Sequence, residues 1–358
     1  MQNRVFIMAG GGTGGHVIPG IAVARELASR GHQPLFIGTR AGMEARLVPA
    51  AGFPIEWIDI GGLKGLSLVR RARTVVELPA SVWHARRLLK AHNAAAVFSM
   101  GGYAAAPVVL AAALARTPVV LMEPNAMPGM TNRRMARFAR RALVSFPEAL
   151  PFFPAGRAEI AGLPVRPEFF ALPDKPRASP PVVLVTGGSR GSRTLNFAAR
   201  DLAASPGLPC KLILQTGRDM HAEISAAISN PNVEVIPFID DMPSAFAQAD
   251  LLVCRSGAGA VAELAAAGKP SILVPYPFAA DDHQMANARA MERAGAARVV
   301  SDAGFSAPRM LAEIQACLAE KNLESMARAA RAQALPGAAA RAASLLEQFA
   351  EANDSPKQ

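Results

Sequence analysis

Short apolar runs alternate with helix-like segments along nearly the whole chain. Six of these runs in the first half, and five after residue 181, have the length and composition of strands. In order they are Arg4–Ala9, Pro34–Gly38, Ile55–Ile60, Ala95–Met100, Pro118–Met122, Arg141–Phe146, Val182–Thr186, Lys211–Gln215, Val233–Phe238, Asp250–Cys254 and Ser271–Pro275. Strands that are apolar throughout and separated by helices are buried on both faces, so the pattern predicts an α/β fold with parallel sheets.

A proline-rich segment divides this pattern in two. The range Ala161–Pro181 holds six prolines, which predicts a linker without regular structure. The chain has 358 residues, more than one core usually supports, so we expect two domains, at 1–163 and 164–337. The tail Ala338–Ala352 has apolar residues at helical spacing and predicts a helix that docks on an apolar surface.

Three glycine-rich turns follow predicted strands where helix-like runs begin. The first glycine loop, Gly10–Gly15, is followed by His16 and by a helix predicted to begin near Pro19; the second is Gly187–Ser192 and the third is Arg255–Ala260. Glycines let the backbone turn tightly and present N–H groups, and the helix behind adds about half a positive charge at its N-terminus. Open α/β sheets bind ligands at the carboxyl ends of their strands, so the loops predict a site for phosphate or sugar.

The first glycine loop also satisfies the dinucleotide fingerprint G-x-G-x-x-G. That fingerprint requires an acidic residue at the end of the second strand, where this chain has Thr39-Arg40. Arg40 is compatible with the phosphate of NADP, so an NADP-dependent oxidoreductase stays open as an alternative at this point. A nucleoside triphosphatase is disfavoured, because the loop lacks the Gly-Lys-Ser/Thr of a P-loop.

Positive charge is concentrated in two segments of the first half. Lys64–Lys90 holds seven basic residues against one acid, and Arg133–Arg141 adds five arginines, so the two segments carry +11 and the rest of the chain sums to −1, for a net charge of +10. The first segment interleaves its cations with apolar residues and a tryptophan, which suits an anionic membrane surface, although the same apolar residues are compatible with a core-facing helix. The residues predicted to contact the membrane are Arg70, Arg71, Arg73, Trp83, Arg86 and Arg87. We expect no nucleic-acid partner, since no nucleic-acid-binding motif accompanies the charge.

Three widely spaced cysteines without a CxxC motif predict reduced thiols and no metal site. The longest apolar run, Tyr103–Ala115, has 13 residues and is interrupted by a proline, so it is too short to cross a bilayer. The N-terminus lacks the apolar region of a signal peptide, and we expect the protein to stay in the cytoplasm.

Eight motifs, in order along nearly the whole chain, resemble the MurG family. They are Gly11–Gly20, Gly101-Gly102-Tyr103, Glu123-Pro124-Asn125, Gly162–Arg166, Gly187–Gly191, Phe238–Met242, Cys254–Ala258 and Asp282-His283-Gln284 with Asn287. The family transfers N-acetylglucosamine from UDP-N-acetylglucosamine to undecaprenyl-pyrophosphoryl-N-acetylmuramoyl pentapeptide (lipid I), with inversion, giving lipid II. The resemblance implies a GT-B fold: two Rossmann-like domains that face each other across a cleft, with the last helix, 338–358, returning to the first.

The resemblance also implies how the protein is placed in the cell. Members of the family work as peripheral proteins on the cytoplasmic face of the bacterial inner membrane, in peptidoglycan synthesis, with cell-wall synthesis and division proteins as possible partners. It implies no cofactor and no catalytic metal. The alternative within the same fold is a UDP-N-acetylglucosamine 2-epimerase, which is disfavoured because a soluble epimerase has no use for a basic membrane face.

Site residues carried over from the family divide into catalytic and substrate-binding groups. His16 is the candidate base, because a helix N-terminus keeps an imidazole neutral, and Glu123 and Tyr103 are the further catalytic candidates. The first glycine loop is expected to face the acceptor. The substrate-binding residues are Gly12, Thr13, Gly14, Asn125, Arg166, Ser189, Ile239, Ala258, Gly259, Ala260, Val261, Ala262, Glu263 and Gln284.

Among the substrate-binding residues, the backbone of Ile239 would read uracil, Glu263 would bind the ribose hydroxyls, and Ser189 would hold the pyrophosphate. The family usually has Gln at the position of Pro124, and a Leu-Thr pair often stands within Ala258–Ala260. The alanine there removes a side-chain hydroxyl, so backbone N–H groups hold the phosphates alone.

Overall fold

The computed structural model describes residues 3–61, 68–173, 178–205, 207–319 and 321–354; the side chains of 68–76 and 354 lie outside the described part. The chain divides into two compact units. The first unit is Met1–Pro164 with Leu335–Gln358, and the second is Val165–Ala334.

The described residues of the first unit form a parallel sheet of seven strands in the order β3-β2-β1-β4-β5-β6-β7. The strands are β1 Val5–Gly10, β2 Gln33–Gly38, β3 Ile55–Trp57, β4 Ala96–Gly101, β5 Val119–Glu123, β6 Arg141–Val144 and β7 Ala158–Ile160. The helices are α1 Gly14–Ser29, α2 Glu44–Ala50, α3 Leu68–Ala91, α4 Ala105–Ala115, α5 Met130–Met135 and, after the second unit, α14 Ala338–Asp354. The strand order reverses between β1 and β4, which is where ligands bind in doubly wound folds.

The second unit repeats the plan with six strands in its described residues, in the order β10-β9-β8-β11-β12-β13. The strands are β8 Val182–Thr186, β9 Lys211–Gln215, β10 Val233–Ile236, β11 Leu251–Cys254, β12 Ser271–Leu273 and β13 Ala297–Val299. The helices are α6 Pro167–Phe170, α7 Arg193–Ala203, α8 His221–Ala226, α9 Met242–Gln248, α10 Ala258–Ala267, α11 His283–Arg293, α12 Ala307–Leu318 and α13 Asn322–Ala332. Its order reverses between β8 and β11.

The hydrophobic pattern explains why both sheets form. Consecutive residues of a central strand, such as Ile7 and Met8 in β1, are buried although they point to opposite faces, because helices cover both sides. The predicted α/β fold with two parallel sheets is therefore confirmed. The three-residue edge strands β7 and β13 were not predicted.

The predicted start of the first helix and the predicted absence of regular structure in the linker are wrong, and several predicted strands end two or three residues earlier than expected. Helix α1 begins at Gly14, not near Pro19, which lies inside its second turn; proline there removes one backbone donor, and the helix continues past it. The proline-rich segment contains the short helix α6, since Pro167 occupies a first-turn position where its missing N–H has no helical partner to lose.

The last helix, α14, packs against α1. Leu345 and Leu346 are buried there, and Glu347 accepts hydrogen bonds from Arg30 at 2.7 Å and pairs with His32 at 3.0 Å. Helix α14 therefore adds to the core of the first unit.

Helix α3 carries the basic, apolar segment. Ala85 and Leu89 face the core, whereas the Trp83 side chain is 61% exposed and Arg86 and Arg87 are exposed beside it. The guanidinium of Arg87 lies over the Trp83 ring at 4.8 Å. Part of the apolar set therefore faces the core, and the predicted membrane contact of the exposed face stays a prediction. The side chains of Arg70, Arg71 and Arg73 lie outside the described residues.

Across the described ranges, none of the helices combines the length and the apolar character needed to cross a membrane. The three cysteines, Cys210, Cys254 and Cys317, are buried and free, as predicted, and burial raises the pKa of each thiol.

Candidate active site

The first glycine loop connects the carboxyl end of β1 to α1. Gly12 has a φ of +91°, a conformation that side chains rarely adopt, and its N–H donates to the Glu44 carboxylate at 2.8 Å. Thr13 caps the helix with extended backbone, and His16 lies in the first turn with its Nδ1 3.2 Å from the Thr13 hydroxyl. Thr13 and His16 are thus adjacent at the positive end of α1.

A second turn, Gly101-Gly102-Tyr103, follows β4 and contacts the first glycine loop. A Cβ at Gly102 would lie 2.6 Å from the Gly11 carbonyl oxygen, so the close approach of the two backbones requires glycine. The Tyr103 hydroxyl lies 3.0 Å from the Thr39 hydroxyl. This places Tyr103 beside the loop that carries His16, at the reversal point between β1 and β4.

Glu123 ends β5 and is buried, with only 1% of its surface exposed. One carboxylate oxygen accepts from the backbone N–H and side-chain amide of Asn125, at 2.9 and 3.2 Å; the other accepts from Gly129 N–H at 3.1 Å and from Asn132 at 3.0 Å. Burial raises the pKa of Glu123 against the opposing effect of these hydrogen bonds. The arrangement favours a role in ordering the loop that presents Asn125, over contact with a reacting atom.

In the second unit, the second glycine loop follows β8 and the third follows β11, its neighbour in the sheet. Ser189 is exposed on the second loop. The residues Ala258, Gly259, Ala260, Val261 and Ala262 form the first turns of α10, whose cap is Gly257. The first N–H groups of a helix lack carbonyl partners within it, so this turn is suited to an anion.

Glu263 lies in the second turn of α10, and burial raises its pKa to about 7. The guanidinium of Arg166, at the cap of α6, opposes that shift, so the two side chains lie close in space. Ile239 is half-buried in the turn after β10, two residues before Asp241, which caps α9 by accepting from Ser244 N–H at 3.1 Å. The structure brings the predicted nucleotide-binding residues to one edge of one sheet.

Gln284, at the start of α11, accepts from the backbone N–H of Tyr276 at 3.0 Å through its side-chain oxygen. Its own carbonyl accepts from the Ser256 hydroxyl at 2.8 Å, and the buried Asn287 donates to the Ser256 carbonyl at 3.1 Å. The hydrogen bonds with Ser256 therefore hold helix α11 against the third glycine loop.

Sequence reasoning missed the residues that hold the loops in place, above all Arg255, Glu44 and Asn132. Arg255 lies inside the motif Cys254–Ala258, but the motif does not show that the Arg255 guanidinium contacts the second glycine loop. Glu44 follows the second strand by six residues, and only the turn after β2 brings it to Gly12. Within the described ranges, no group of three or more histidine, cysteine or acidic side chains is arranged to hold a metal.

Two Rossmann-like parallel-sheet units with glycine-rich loops at their strand ends define the class: a GT-B glycosyltransferase. Family models match both halves, the glycosyltransferase family 28 N-terminal domain over residues 6–144 and the C-terminal domain over 182–345. Among solved structures, MurG of Acinetobacter baumannii is similar with a TM-score of 0.83 and 32% identity, over 96% of this chain and 99% of that one.

Two curated relatives carry the same name, UDP-N-acetylglucosamine–N-acetylmuramyl-(pentapeptide) pyrophosphoryl-undecaprenol N-acetylglucosamine transferase. The protein of Solibacter usitatus is 56% identical over 96% of each chain, and that of Halorhodospira halophila is 42% identical over 98% of this chain and 99% of its own. The chain belongs to this family of N-acetylglucosaminyltransferases, the MurG family. The epimerase and oxidoreductase alternatives are correspondingly less supported.

Proposed function

We propose that this enzyme transfers N-acetylglucosamine from UDP-N-acetylglucosamine to the 4-hydroxyl of the N-acetylmuramoyl group in lipid I, forming lipid II with inversion at the anomeric carbon. The observation that carries the proposal is the pairing of a predicted nucleotide site in one unit with a histidine-bearing glycine loop in the other, in a chain of this family. The first unit would serve the acceptor and the second the donor.

For the donor, the turn at Ile239 would present backbone groups to uracil. Glu263 would accept hydrogen bonds from the ribose hydroxyls in its ionised form, and Arg166 beside it stabilises that charge. Ser189 and the first turn of α10 would hold the pyrophosphate. The helix N-terminus would stabilise the negative charge that develops as UDP leaves, because N–H groups already point at it.

For the acceptor, His16 is the proposed base. The 4-hydroxyl must lose a proton as it attacks the anomeric carbon, and His16, in the first turn of α1, would offer an imidazole nitrogen to accept it. A positioned base of this kind contributes about 10²- to 10⁴-fold to the rate. Asn125, held by Glu123, would bind hydroxyls of the transferred sugar, and so would Gln284, held by Tyr276.

The lipid acceptor requires a membrane-facing surface, and we propose the exposed face of α3. Trp83 offers an amphipathic ring, and Arg86 and Arg87 offer charges that complement anionic headgroups, each worth about 1 kcal/mol near the surface. The protein would then act as a peripheral protein on the cytoplasmic face of the inner membrane, where cell-wall synthesis and division proteins are possible partners.

The direct test is a transfer assay with the purified chain. UDP-N-acetylglucosamine labelled in the sugar is incubated in detergent with a lipid I analogue that has a short polyprenyl chain, and label is followed into the lipid fraction. We expect transfer of label with release of UDP. Folded protein that leaves the lipid unlabelled would contradict the proposal, and release of the 2-epimeric sugar without acceptor would support the epimerase instead.

A further inference from the structure

Glu44 is an acidic residue enclosed within the first unit. Its side chain is fully buried at the start of α2, just beyond the turn that follows β2. A Cβ at Gly11, Gly38 or Gly42 would overlap this side chain, so three glycines leave the space that it fills. A carboxylate at this depth is costly unless donors surround it.

The donors come from two loops. One carboxylate oxygen accepts from the N–H of Thr39 at 3.0 Å and from its hydroxyl at 2.8 Å; the other accepts from the N–H of Gly12 at 2.8 Å. Because the Thr39 hydroxyl gives its one proton to Glu44, the Tyr103 hydroxyl must donate in the 3.0 Å contact with Thr39. A continuous chain of hydrogen bonds therefore runs from Tyr103 to the first glycine loop.

These hydrogen bonds give Gly12 a role that differs from the predicted contact with substrate. Its N–H points to Glu44, so the acceptor's phosphates would meet the N–H groups further along, at the first turn of α1 that carries His16. Glu44 also differs from the acidic residue of a dinucleotide site, because the carboxylate of that residue faces a ribose. Here both carboxylate oxygens face the protein's own backbone and hydroxyl donors.

We propose that Glu44 is the positioning residue of the first glycine loop: it fixes Gly12 in its left-handed conformation and thereby sets the place of His16 relative to Tyr103. The inference rests on the proposed transferase function for its kinetic consequence, although the hydrogen bonds that it names are independent of activity. Glu44 touches neither substrate in this scheme and acts only through the loop.

Glu44→Gln tests the proposal with little change in volume. A glutamine has one accepting oxygen, so its NH₂ must face either Gly12 N–H or Thr39 N–H, two donors in opposition. We expect the kcat of sugar transfer to fall about tenfold, the loss that corresponds to a single charged hydrogen bond. The KM for UDP-N-acetylglucosamine and the affinity for UDP are expected to stay within about twofold, because the residues that we assign to uracil, ribose and pyrophosphate lie in the other unit.

A second measurement reports on the first glycine loop itself. Amide hydrogen exchange at Gly12, measured on the full-length protein, is expected to be faster in Glu44→Gln by about the same factor as kcat falls. The matched control is Glu148→Gln, an exposed carboxylate of the same unit, which leaves both measurements at the wild-type values. Unchanged kcat and unchanged exchange in Glu44→Gln would overturn the proposal.

If Glu44→Gln does not fold, Thr39 keeps the proposal testable. Thr39→Val removes the hydroxyl that joins Tyr103 to Glu44, and Thr39→Ser retains it, so kcat is expected to fall about threefold in the first and recover in the second. Equal kcat values in the two variants would count against the chain of hydrogen bonds. A wild-type protein without transfer would refute the proposed function, whereas hydrogen exchange at Gly12 would still decide the role of Glu44.

Discussion

Arg255 donates a hydrogen bond to the hydroxyl of Ser192 at 2.7 Å, and so joins the third glycine loop to the second. The same guanidinium binds Asp302 at 2.5 Å and donates to the carbonyls of Val274 and Pro275 at 3.1 and 3.2 Å. Ser192 is also the cap of α7, where its hydroxyl accepts from Leu195 N–H. One side chain therefore fixes the ends of β8, β11 and β12 relative to one another.

Arg255→Lys is expected to weaken UDP binding about tenfold, because an ammonium group cannot reproduce the planar fork of donors that reaches Ser192 and Asp302 together. The two loops that we assign to the pyrophosphate would lose their relative position. Isothermal titration with UDP measures the effect. Arg200→Lys, in a surface ion pair with Asp201 on α7, is the matched control. An unchanged dissociation constant for Arg255→Lys would show that the loops hold their positions without the bridge.

The repeating part of the fold was predictable, and the long-range contacts at the site were not. Apolar strands covered on both faces leave a continuous signature, so the central strands of both sheets follow from composition. The edge strands β7 and β13 each have a charged residue at their centre and were not predicted. The glycine loops were predictable as turns, because glycine is favoured where φ is positive, as at Gly12.

The partners of the loops depend on contacts that only the folded chain creates. Glu123 was a catalytic candidate because it ends a strand in a family motif, and one of its carboxylate oxygens accepts from Asn132, which is nine residues away on α5. Glu44 binds a glycine 32 residues before it. A sequence motif records which residues occur together in a family; it does not record which of them meet substrate and which meet each other.

Glu263 predicts a pH dependence of stability in the ligand-free protein. Its pKa is about 7 in the folded state against an ordinary value of 4.5, so between these values the folded state keeps a proton that the unfolded state has lost. The free energy of unfolding therefore falls as pH rises through this window, and by about pH 7 the loss is on the order of 2–3 kcal/mol.

The variant Glu263→Gln cannot ionise and is expected to escape this loss. Thermal unfolding from pH 5 to 8 should show the melting temperature of the variant rising relative to that of the wild type as pH increases. Glu234→Gln, at an exposed position of the same unit, is the control and should follow the wild-type profile. A constant difference between Glu263→Gln and wild type across this range would mean that Glu263 is already ionised in the folded state.

His16→Ala is expected to lower kcat at least about tenfold, in line with the loss of a positioned base, while leaving the affinity for UDP unchanged. The separation arises because His16 lies on α1 of the first unit and the predicted uracil and ribose contacts lie in the second. Single-turnover kinetics with saturating donor measure the chemical step. His92→Ala, which removes a surface imidazole of the same unit, should behave as wild type. Unchanged turnover in His16→Ala would assign the base to another residue.

Charge reversal on α3 is expected to release the protein from anionic vesicles. Arg86→Glu with Arg87→Glu replaces two attractive charges by two repulsive ones beside the exposed Trp83, and at about 1 kcal/mol for each lost attraction the partition coefficient should fall by a factor of ten or more. Flotation with phosphatidylglycerol-containing vesicles measures this partition coefficient, and wild-type binding should weaken as salt rises, because exposed charges are screened.

The control double variant, Arg25→Glu with Arg328→Glu, changes the net charge equally at exposed positions on α1 and α13, and should retain binding. Equal losses in the two double variants would show that total charge, rather than the face of α3, determines membrane association.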